Sequence, residues 1–442
     1  MPKTPKVLLI AEAANPEFTS VPLVGWSLAE SLLRATDAHL VTQVRNAEAI
    51  ARSGLVSEDQ YTTIDSEFIA KKVYALNKLL RKIGLGWTAT TALASISYIA
   101  FERLAWKKFA HALRSGEYDI VHRITPLSPT VASPYFAKKC AALGIPFVLG
   151  PLNGGVPWPK GYDSVRRKEG EWLSYIRGLY KLMPGYRATR KHAKAIITGS
   201  WATRAQMPES VESKCMYIVE NAINPNRFQA RDPRALTKPI RAAFIGRLVP
   251  YKGADIVIEA SAELLKNGEL TLDVFGDGPE MDTIRSQCKA LGVSESVKLH
   301  GWVNHTELHK ELAQCDILSF PSIREFGGGV VLEAMAMGLV PIVADYAGPG
   351  ELVNDETGFR LPISPRDGLV ESLRVVLESI TRDPAQLAPM RQAGLKLIEQ
   401  HFTWDAKAQK ILDVYRWVLG ETEKNPELID GFLSSQRATP TT

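Results

Sequence analysis

The sequence predicts an α/β protein built from two doubly wound, Rossmann-like domains. Short apolar runs, typical of buried parallel strands, alternate with helical segments along most of the chain. The chain has 442 residues, which is more than one ordinary hydrophobic core accommodates. Residues 221–239 are rich in Pro, Asn and Arg and separate two such alternations, which indicates a domain boundary. We therefore expect one domain over residues 1–225 and a second over residues 236–403.

The first domain is predicted to be a parallel sheet covered by helices. Its apolar runs lie at residues 7–11, 39–44, 118–122, 145–150, 195–200 and 216–219. A helix is predicted over residues 25–35, and residues 67–115 and 160–194 are helix-rich and basic. Residues 86–101 carry no charge but fall short of the roughly 20 residues that span a bilayer, so they predict a buried helix.

The second domain repeats the same alternation. Its predicted strands lie at residues 240–245, 271–275, 297–300, 316–320 and 340–344. Its predicted helices lie at residues 253–267, 279–291, 306–314 and 330–337. An amphipathic helix is predicted over residues 404–420, and the polar tail at 421–442 is expected to be loosely held.

Composition narrows the functional classes. The net charge of +5 is mild and no basic stripe alternates with aromatic residues, so nucleic-acid binding is not expected. Four scattered cysteines lack metal-ligand spacing and predict buried thiols in a reducing compartment. No leader peptide pattern precedes the first apolar run, which favours a cytoplasmic location.

A glycine-rich loop before the predicted helix 330–337 is the strongest functional motif. Gly327, Gly328 and Gly329 carry no Cβ that would keep a ligand away from the backbone. The following helix N-terminus offers free amides and a positive dipole end, which suit a phosphate. Glu325 precedes this helix and Glu333 lies one turn inside it. Since phosphate repels carboxylates, we expect these two to hold neutral hydroxyls. A glycine turn with two solvated glutamates is the alternative.

The spacing of Glu325 and Glu333, followed by Ala-Met-Ala-x-Gly, resembles the motif of the retaining GT-B glycosyltransferases of family 4. Two further segments resemble this family in the same order. They are residues 244–253, which carry Arg247 and Lys252, and residues 274–280. The resemblance is good over residues 195–420 and loose over residues 1–190.

The resemblance implies a GT-B fold, with two Rossmann-like domains that face a central cleft. The C-terminal domain would bind a nucleotide-diphosphate sugar and the N-terminal domain the acceptor, with helix 404–420 packed back on the N-terminal domain. The donor-binding residues implied are Gly25, Gly246, Gly276, Gly278, Val303, Gly328, Gly329, Val330 and Glu333. For the Gly276–Gly278 segment, the alternative to nucleotide binding is that the glycines only form a tight turn. For Trp302, which precedes Val303, the alternative is a role in packing the core.

Four residues are candidates for the chemistry. Arg247 and Lys252 would neutralise the diphosphate as an Arg fork and a Lys point charge, with a solvated loop pair as the alternative. By the resemblance, Glu325 would hold sugar hydroxyls, and His122 would lie close to the sugar. For His122 a structural histidine is the alternative, because Ile124 occupies the place of the family's second histidine.

The predicted function is therefore transfer of a sugar from a nucleotide-diphosphate sugar to a glycan or lipid-linked acceptor, with retention, in polysaccharide or glycoconjugate synthesis. A GT-B nucleotide-sugar epimerase or hydrolase, and a catalytically silent partner of another transferase, are the alternatives. No cofactor and no metal are expected, because the sequence has no Asp-x-Asp pair and no cluster at metal-ligand spacing.

Peripheral contact with a membrane is a further expectation. The basic segments 71–114 and 160–194 also carry large apolar side chains, and basic helices with such anchors bind anionic lipid. The anchors considered are Trp106, Trp172, Tyr175, Tyr180 and Leu182. Solvated helix faces are the alternative.

Overall fold

The computed structural model describes residues 4–82, 86–168, 180–228, 236–423 and 426. The chain divides into two compact units. As far as they are described, residues 1–155, 167–220 and 404–430 form the first unit, and residues 156–166 and 221–403 lie in the second.

The first unit is built on a parallel sheet of seven strands in the order β3-β2-β1-β4-β5-β6-β7. The strands are β1 Lys6–Ala11, β2 Asp37–Gln43, β3 Tyr61–Ile64, β4 Ile120–Thr125, β5 Phe147–Leu152, β6 Ala195–Thr198 and β7 Cys215–Tyr217. The helices along this part of the chain are α1 Val21–Ala35, α2 Ala47–Ser53, α3 Glu67–Lys82, α4 Gly86–Arg114, α5 Pro134–Leu143, α6 Asp163–Lys168, α7 Tyr186–His192 and α8 Trp201–Arg204.

The second unit has a parallel sheet of six strands in the order β10-β9-β8-β11-β12-β13. The strands are β8 Ile240–Ile245, β9 Leu270–Phe275, β10 Val297–Gly301, β11 Ile317–Phe320, β12 Val340–Ala344 and β13 Phe359–Leu361. The helices are α9 Ala254–Lys266, α10 Met281–Leu291, α11 His305–Leu312, α12 Gly329–Ala336, α13 Ala347–Leu352, α14 Arg366–Arg382 and α15 Leu387–His401. The last helix, α16 Trp404–Val418, returns to the first unit.

Two layers of helices cover the first sheet. On one face α1 and α16 pack together, and Ile411, Val414 and Tyr415 of α16 are completely buried against this side of the sheet. On the other face α4 and α5 contribute Phe101 and Phe136, which are also completely buried. The sheet is therefore buried on both faces, as its nearly continuous apolar strands predict.

Several expectations need correction. The helix expected over residues 25–35 begins at Val21, because Pro22 in its first turn needs no backbone hydrogen bond there. Trp106 is not a surface anchor, since it is buried in the core with its ring edge-on to Phe136. Trp172 and Tyr175 lie outside the described residues, as does nearly all of the tail at 421–442. Leu182 is 71% exposed, so its position is compatible with the surface anchor expected there.

Residues 156–166, which we call the strap, were assigned by sequence to the first domain but fold with the second unit. The Tyr346 hydroxyl donates to the Pro157 carbonyl at 2.8 Å, and the Tyr162 hydroxyl donates to the Ser364 carbonyl at 2.7 Å. These contacts span about 200 residues of sequence, so no local pattern predicts them. None of the helices within the described ranges is long and apolar enough to cross a membrane.

Candidate functional site

The candidate site lies where β9, β8 and β11 end side by side in the second sheet. The carboxyl ends of neighbouring parallel strands face the same edge, which is where open α/β sheets bind ligands. The loops that leave these three strands carry the motifs singled out in the sequence. They are residues 246–253 after β8, residues 276–280 after β9 and residues 321–328 after β11.

Close backbone contact explains two of the predicted glycines. A Cβ on Gly276 would lie 1.9 Å from the Gly246 carbonyl oxygen, and φ of Gly276 is +141°. A Cβ on Gly278 would lie 2.3 Å from the Leu248 carbonyl oxygen. Only glycine allows these two loops to touch. The tight-turn alternative thus accounts for both residues, and their contact with a nucleotide stays a prediction.

Lys252 and Glu325, which are 73 residues apart in sequence, form an ion pair. Their side chains are only 14% and 22% exposed, so water screens the pair incompletely. The second Glu325 oxygen accepts a hydrogen bond from the Phe326 amide at 3.1 Å. The Lys252 ammonium also lies 5.2 Å from the centre of the Phe320 ring. Sequence reasoning gave these two residues separate ligands and did not foresee that they neutralise each other.

Arg247 is different, because its side chain is exposed. Among the described residues, none forms a hydrogen bond or ion pair with its guanidinium. A planar guanidinium that faces solvent remains available to bind the two oxygens of a phosphate or carboxylate.

Helix α12 begins beside this ion pair. Gly328 precedes it with φ +60°, and a Cβ there would lie 2.8 Å from a methyl group of Leu352, so this position requires glycine. The first amides of a helix have no partner within the helix, and the dipole makes this end positive. Gly329 and Val330 form the first turn and are half-buried. The loop and helix end thus provide the phosphate-binding geometry that the motif predicts.

Glu333 lies on α12 and is half-buried. Burial raises the pKa of its carboxyl to about 7, and the charge of Arg227 opposes this rise. No hydrogen bond joins the Glu333 carboxyl to the described part of the chain. A partly buried carboxyl without a hydrogen-bond partner is stabilised when a ligand hydroxyl donates a hydrogen bond to it.

The loop after β10 holds Trp302 and Val303. Trp302 is 77% exposed, so the core-packing alternative for this residue is wrong. Val303 is half-buried. The side chain of His300, two residues before Trp302, has partners within the protein: its Nε2 lies 2.6 Å from an Asp273 oxygen and its ring stacks on Phe275.

The two candidates in the first unit have structural explanations. His122 is completely buried, its Nε2 donates to the Gly150 carbonyl at 2.8 Å, and its Nδ1 accepts from the Tyr415 hydroxyl at 2.7 Å. Burial lowers the pKa of this imidazole to about 4. Both nitrogens are occupied, so the geometry favours the structural alternative over a catalytic role. A Cβ on Gly25 would lie 2.1 Å from the Ala13 carbonyl oxygen, so close packing of α1 requires this glycine.

Sequence reasoning missed an aromatic cluster beside the ion pair. Trp158 of the strap meets Tyr251 edge-on with ring centres 6.0 Å apart. The Arg324 guanidinium carbon lies 4.8 Å from the Trp158 ring centre and 5.5 Å from that of Phe326. Tyr251 and Arg324 directly precede Lys252 and Glu325, and this adjacency was the available signal.

Within the described ranges, no group of three or more His, Cys, Asp or Glu side chains has the arrangement of a metal site. The four cysteines are free and buried, as expected.

Comparison with known proteins identifies the domain that holds this site. Residues 226–390 match the model of the Glycosyl transferases group 1 family, so the second unit contains a domain of this kind. Glycogen synthase of Mycobacterium tuberculosis H37Rv is 31% identical over 216 residues, which cover 48% of this chain and 51% of that protein. Glycogen synthase of Thermodesulfovibrio yellowstonii is 30% identical over 299 residues, or 67% of this chain and 53% of that protein. The chain thus spans about half the length of these relatives.

Solved structures show the fold. Anabaena Alr3699/HepE in complex with UDP aligns with a TM-score of 0.60 and 18% identity, over 93% of this chain and all of that chain. Sucrose-phosphate synthase of Thermosynechococcus elongatus aligns with a TM-score of 0.61 and 16% identity, over 95% of this chain and all of that chain. The fold, two Rossmann-like α/β domains with parallel sheets, is that of GT-B glycosyltransferases.

Proposed function

We propose that the protein is a glycosyltransferase that moves a sugar from a nucleotide-diphosphate sugar to a glycan or lipid-linked acceptor. The observation that carries this proposal is the Lys252–Glu325 ion pair beside the glycine-preceded N-terminus of α12, inside a Glycosyl transferases group 1 domain. In this arrangement the positive groups that would bind a diphosphate lie next to a carboxylate that would bind sugar hydroxyls, as a sugar joined to a diphosphate requires.

The departing diphosphate needs positive charge that is already in position. Arg247, Lys252 and the first amides of α12 supply it in this proposal. Because Lys252 is paired with Glu325, a diphosphate that binds Lys252 competes with the carboxylate. Glu325 then has an oxygen free to accept a sugar hydroxyl. Donor binding and sugar recognition are thereby coupled through one ion pair.

Glu333 is proposed to accept hydrogen bonds from the ribose hydroxyls of the nucleotide. Its half-buried carboxyl without a hydrogen-bonding partner in the described chain supports this role. The proposal includes retention of anomeric configuration, as in the GT-B family 4 enzymes that the motifs resemble. It also includes independence of metal, a hexosyl group as the sugar transferred, and a role in polysaccharide or glycoconjugate synthesis. The proposed location is the cytoplasm, with peripheral contact to the inner membrane face.

A thermal-shift screen of UDP-, GDP- and ADP-sugars tests donor binding. A donor present at about 100 times its Kd stabilises the folded state by about 2.7 kcal/mol, which raises Tm measurably. The matched control is Glu333→Gln, which should lose most of the shift while keeping the fold. Absence of a shift with every nucleotide sugar would contradict the proposal.

Two alternatives remain to be distinguished by assay. A GT-B epimerase or hydrolase would convert the donor when no acceptor is present, whereas a transferase needs a glycan or lipid-linked glycan. A catalytically silent partner would convert nothing under either condition. Incubation of the donor found in the screen, with and without acceptors, separates the three.

A further inference from the structure

The strap places one aromatic ring against the residues that precede both members of the ion pair. Trp158 contacts Tyr251, which is followed by Lys252, and Arg324, which is followed by Glu325. The two loops are also joined by backbone, since the Ile323 amide donates to the Tyr251 carbonyl at 3.0 Å. We propose that Trp158 is a positioning residue that holds these two loops together and so fixes the geometry of Lys252 and Glu325.

The contact between Arg324 and Trp158 is expected to be strong because it is buried. The Arg324 guanidinium lies 4.8 Å from the Trp158 ring centre and 5.5 Å from that of Phe326, and the residue is 8% exposed. A cation over an aromatic ring gains more when water is excluded than at an open surface. A planar guanidinium also stacks on a ring, which an ammonium does not do. Arg324 is therefore held against the strap by a buried cation–π contact, and Glu325 follows it directly in the chain.

The strap is itself anchored to the second unit on both sides of Trp158. The Pro157 carbonyl accepts from the Tyr346 hydroxyl, which lies just after β12. Tyr162 donates to the Ser364 carbonyl, which lies between β13 and α14. Trp158 therefore acts from a segment that is fixed at two points, rather than from a free loop. A ring held in this way can limit the movement of the loops it contacts.

This inference rests on the proposed function for its kinetic part, but the holding of the loops can be measured without activity. Hydrogen exchange of the amides at residues 249, 251–253 and 322–327 is compared between the wild type and Trp158→Ala. We expect faster exchange in both segments of the variant. The control is Trp201→Ala, which removes a half-buried tryptophan carrying Arg204 at 5.2 Å in the first unit. Unchanged exchange in Trp158→Ala would overturn the inference, whatever the activity of the wild type.

The kinetic part separates positioning from simple loss of stability. A displacement of about 1 Å at reacting groups can cost about 100-fold in rate, so Trp158→Ala should lower kcat by 10- to 100-fold and change the donor KM less. Trp158→Phe keeps a ring for Arg324 and should restore most of the rate. Arg324→Lys keeps the charge but loses the planar guanidinium, and it should behave like Trp158→Ala.

Two outcomes would refute the kinetic part in an active enzyme. They are a kcat of Trp158→Ala equal to that of Trp201→Ala, and full activity of Arg324→Lys. If Trp158→Ala fails to fold, Trp158→Phe and Arg324→Lys decide, because both remove less volume from the site than Trp158→Ala does. A wild type that transfers no sugar would refute the proposed function, whereas hydrogen exchange would still decide whether Trp158 holds the loops.

Discussion

Replacement of Glu333 by glutamine is expected to stabilise the protein at alkaline pH and to weaken nucleotide binding. Burial raises the pKa of this carboxyl from 4.5 to about 7 in the folded protein. Between these values the folded state holds a proton that the unfolded state has released, so stability falls as pH rises through this range. The shift corresponds to about 3 kcal/mol, which solvent at the half-buried carboxylate reduces to roughly 1–2 kcal/mol. Glutamine carries no charge and avoids this cost.

The assay is denaturant unfolding of wild type and Glu333→Gln at pH 5 and pH 8.5, with the midpoint and slope fitted at each pH. The advantage of the variant should grow by roughly 1–2 kcal/mol between the two values. The control is Glu325→Gln, which breaks the ion pair with Lys252 and should not stabilise the protein. In the same samples, nucleoside diphosphate affinity of the wild type should rise as pH increases past 7, and Glu333→Gln should lose this dependence. A variant advantage that is equal at both pH values would refute the argument from burial.

Four further predictions concern the site and the location of the protein. Arg247→Ala and Lys252→Ala should each lower kcat/KM by about 10²–10³, as loss of one preorganised donor does, and near-normal turnover of both would remove the diphosphate assignment. Glu325→Gln should reduce transfer without weakening nucleoside diphosphate binding measured by calorimetry, because it frees Lys252 from its partner, and a weakened affinity would exchange its role with that of Glu333. Transfer should persist in excess EDTA, and activity restored only by magnesium or manganese would assign a metal to the site. Flotation with anionic vesicles should recover weakly bound protein at low salt and none at high salt, and protein that stays at the bottom at low salt would exclude membrane contact.

The fold was predictable where the hydrophobic period is strong. Strands β8 and β12 match the predicted bounds residue for residue, and α12 is shifted by one residue. By contrast, residues 345–403 were left unassigned, and they contain α13 to α15 and β13. Helix α14 has a clear helical period that sequence reasoning missed, since Leu369, Leu373, Leu377 and Ile380 are buried on one face, whereas the six residues of α13 include two glycines and a proline and show no such period.

The site was predictable as a set of residues but not as an arrangement. The motifs located Lys252 and Glu325, while their pairing depends on the order of β8 and β11 in the sheet, which the sequence leaves open. His122 was predicted as a candidate from its place at a strand end, and the partner that explains it, Tyr415, is 293 residues away. Long-range partners of this kind have no local pattern, and the same reason hid Trp158.

The return of α16 to the first unit affects when that unit can complete its core during synthesis. The side chains of Ile411, Val414 and Tyr415 complete one face of the first sheet, and they are made after the whole of segment 221–403. Until then, α1 and the strands beneath it expose apolar surface for the time needed to translate more than 180 further residues. The second unit, whose segment 221–403 is complete by that time, has an earlier opportunity to fold, although the first unit begins the chain. The first unit, although it begins the chain, can therefore complete its core only after segment 221–403 has been synthesised.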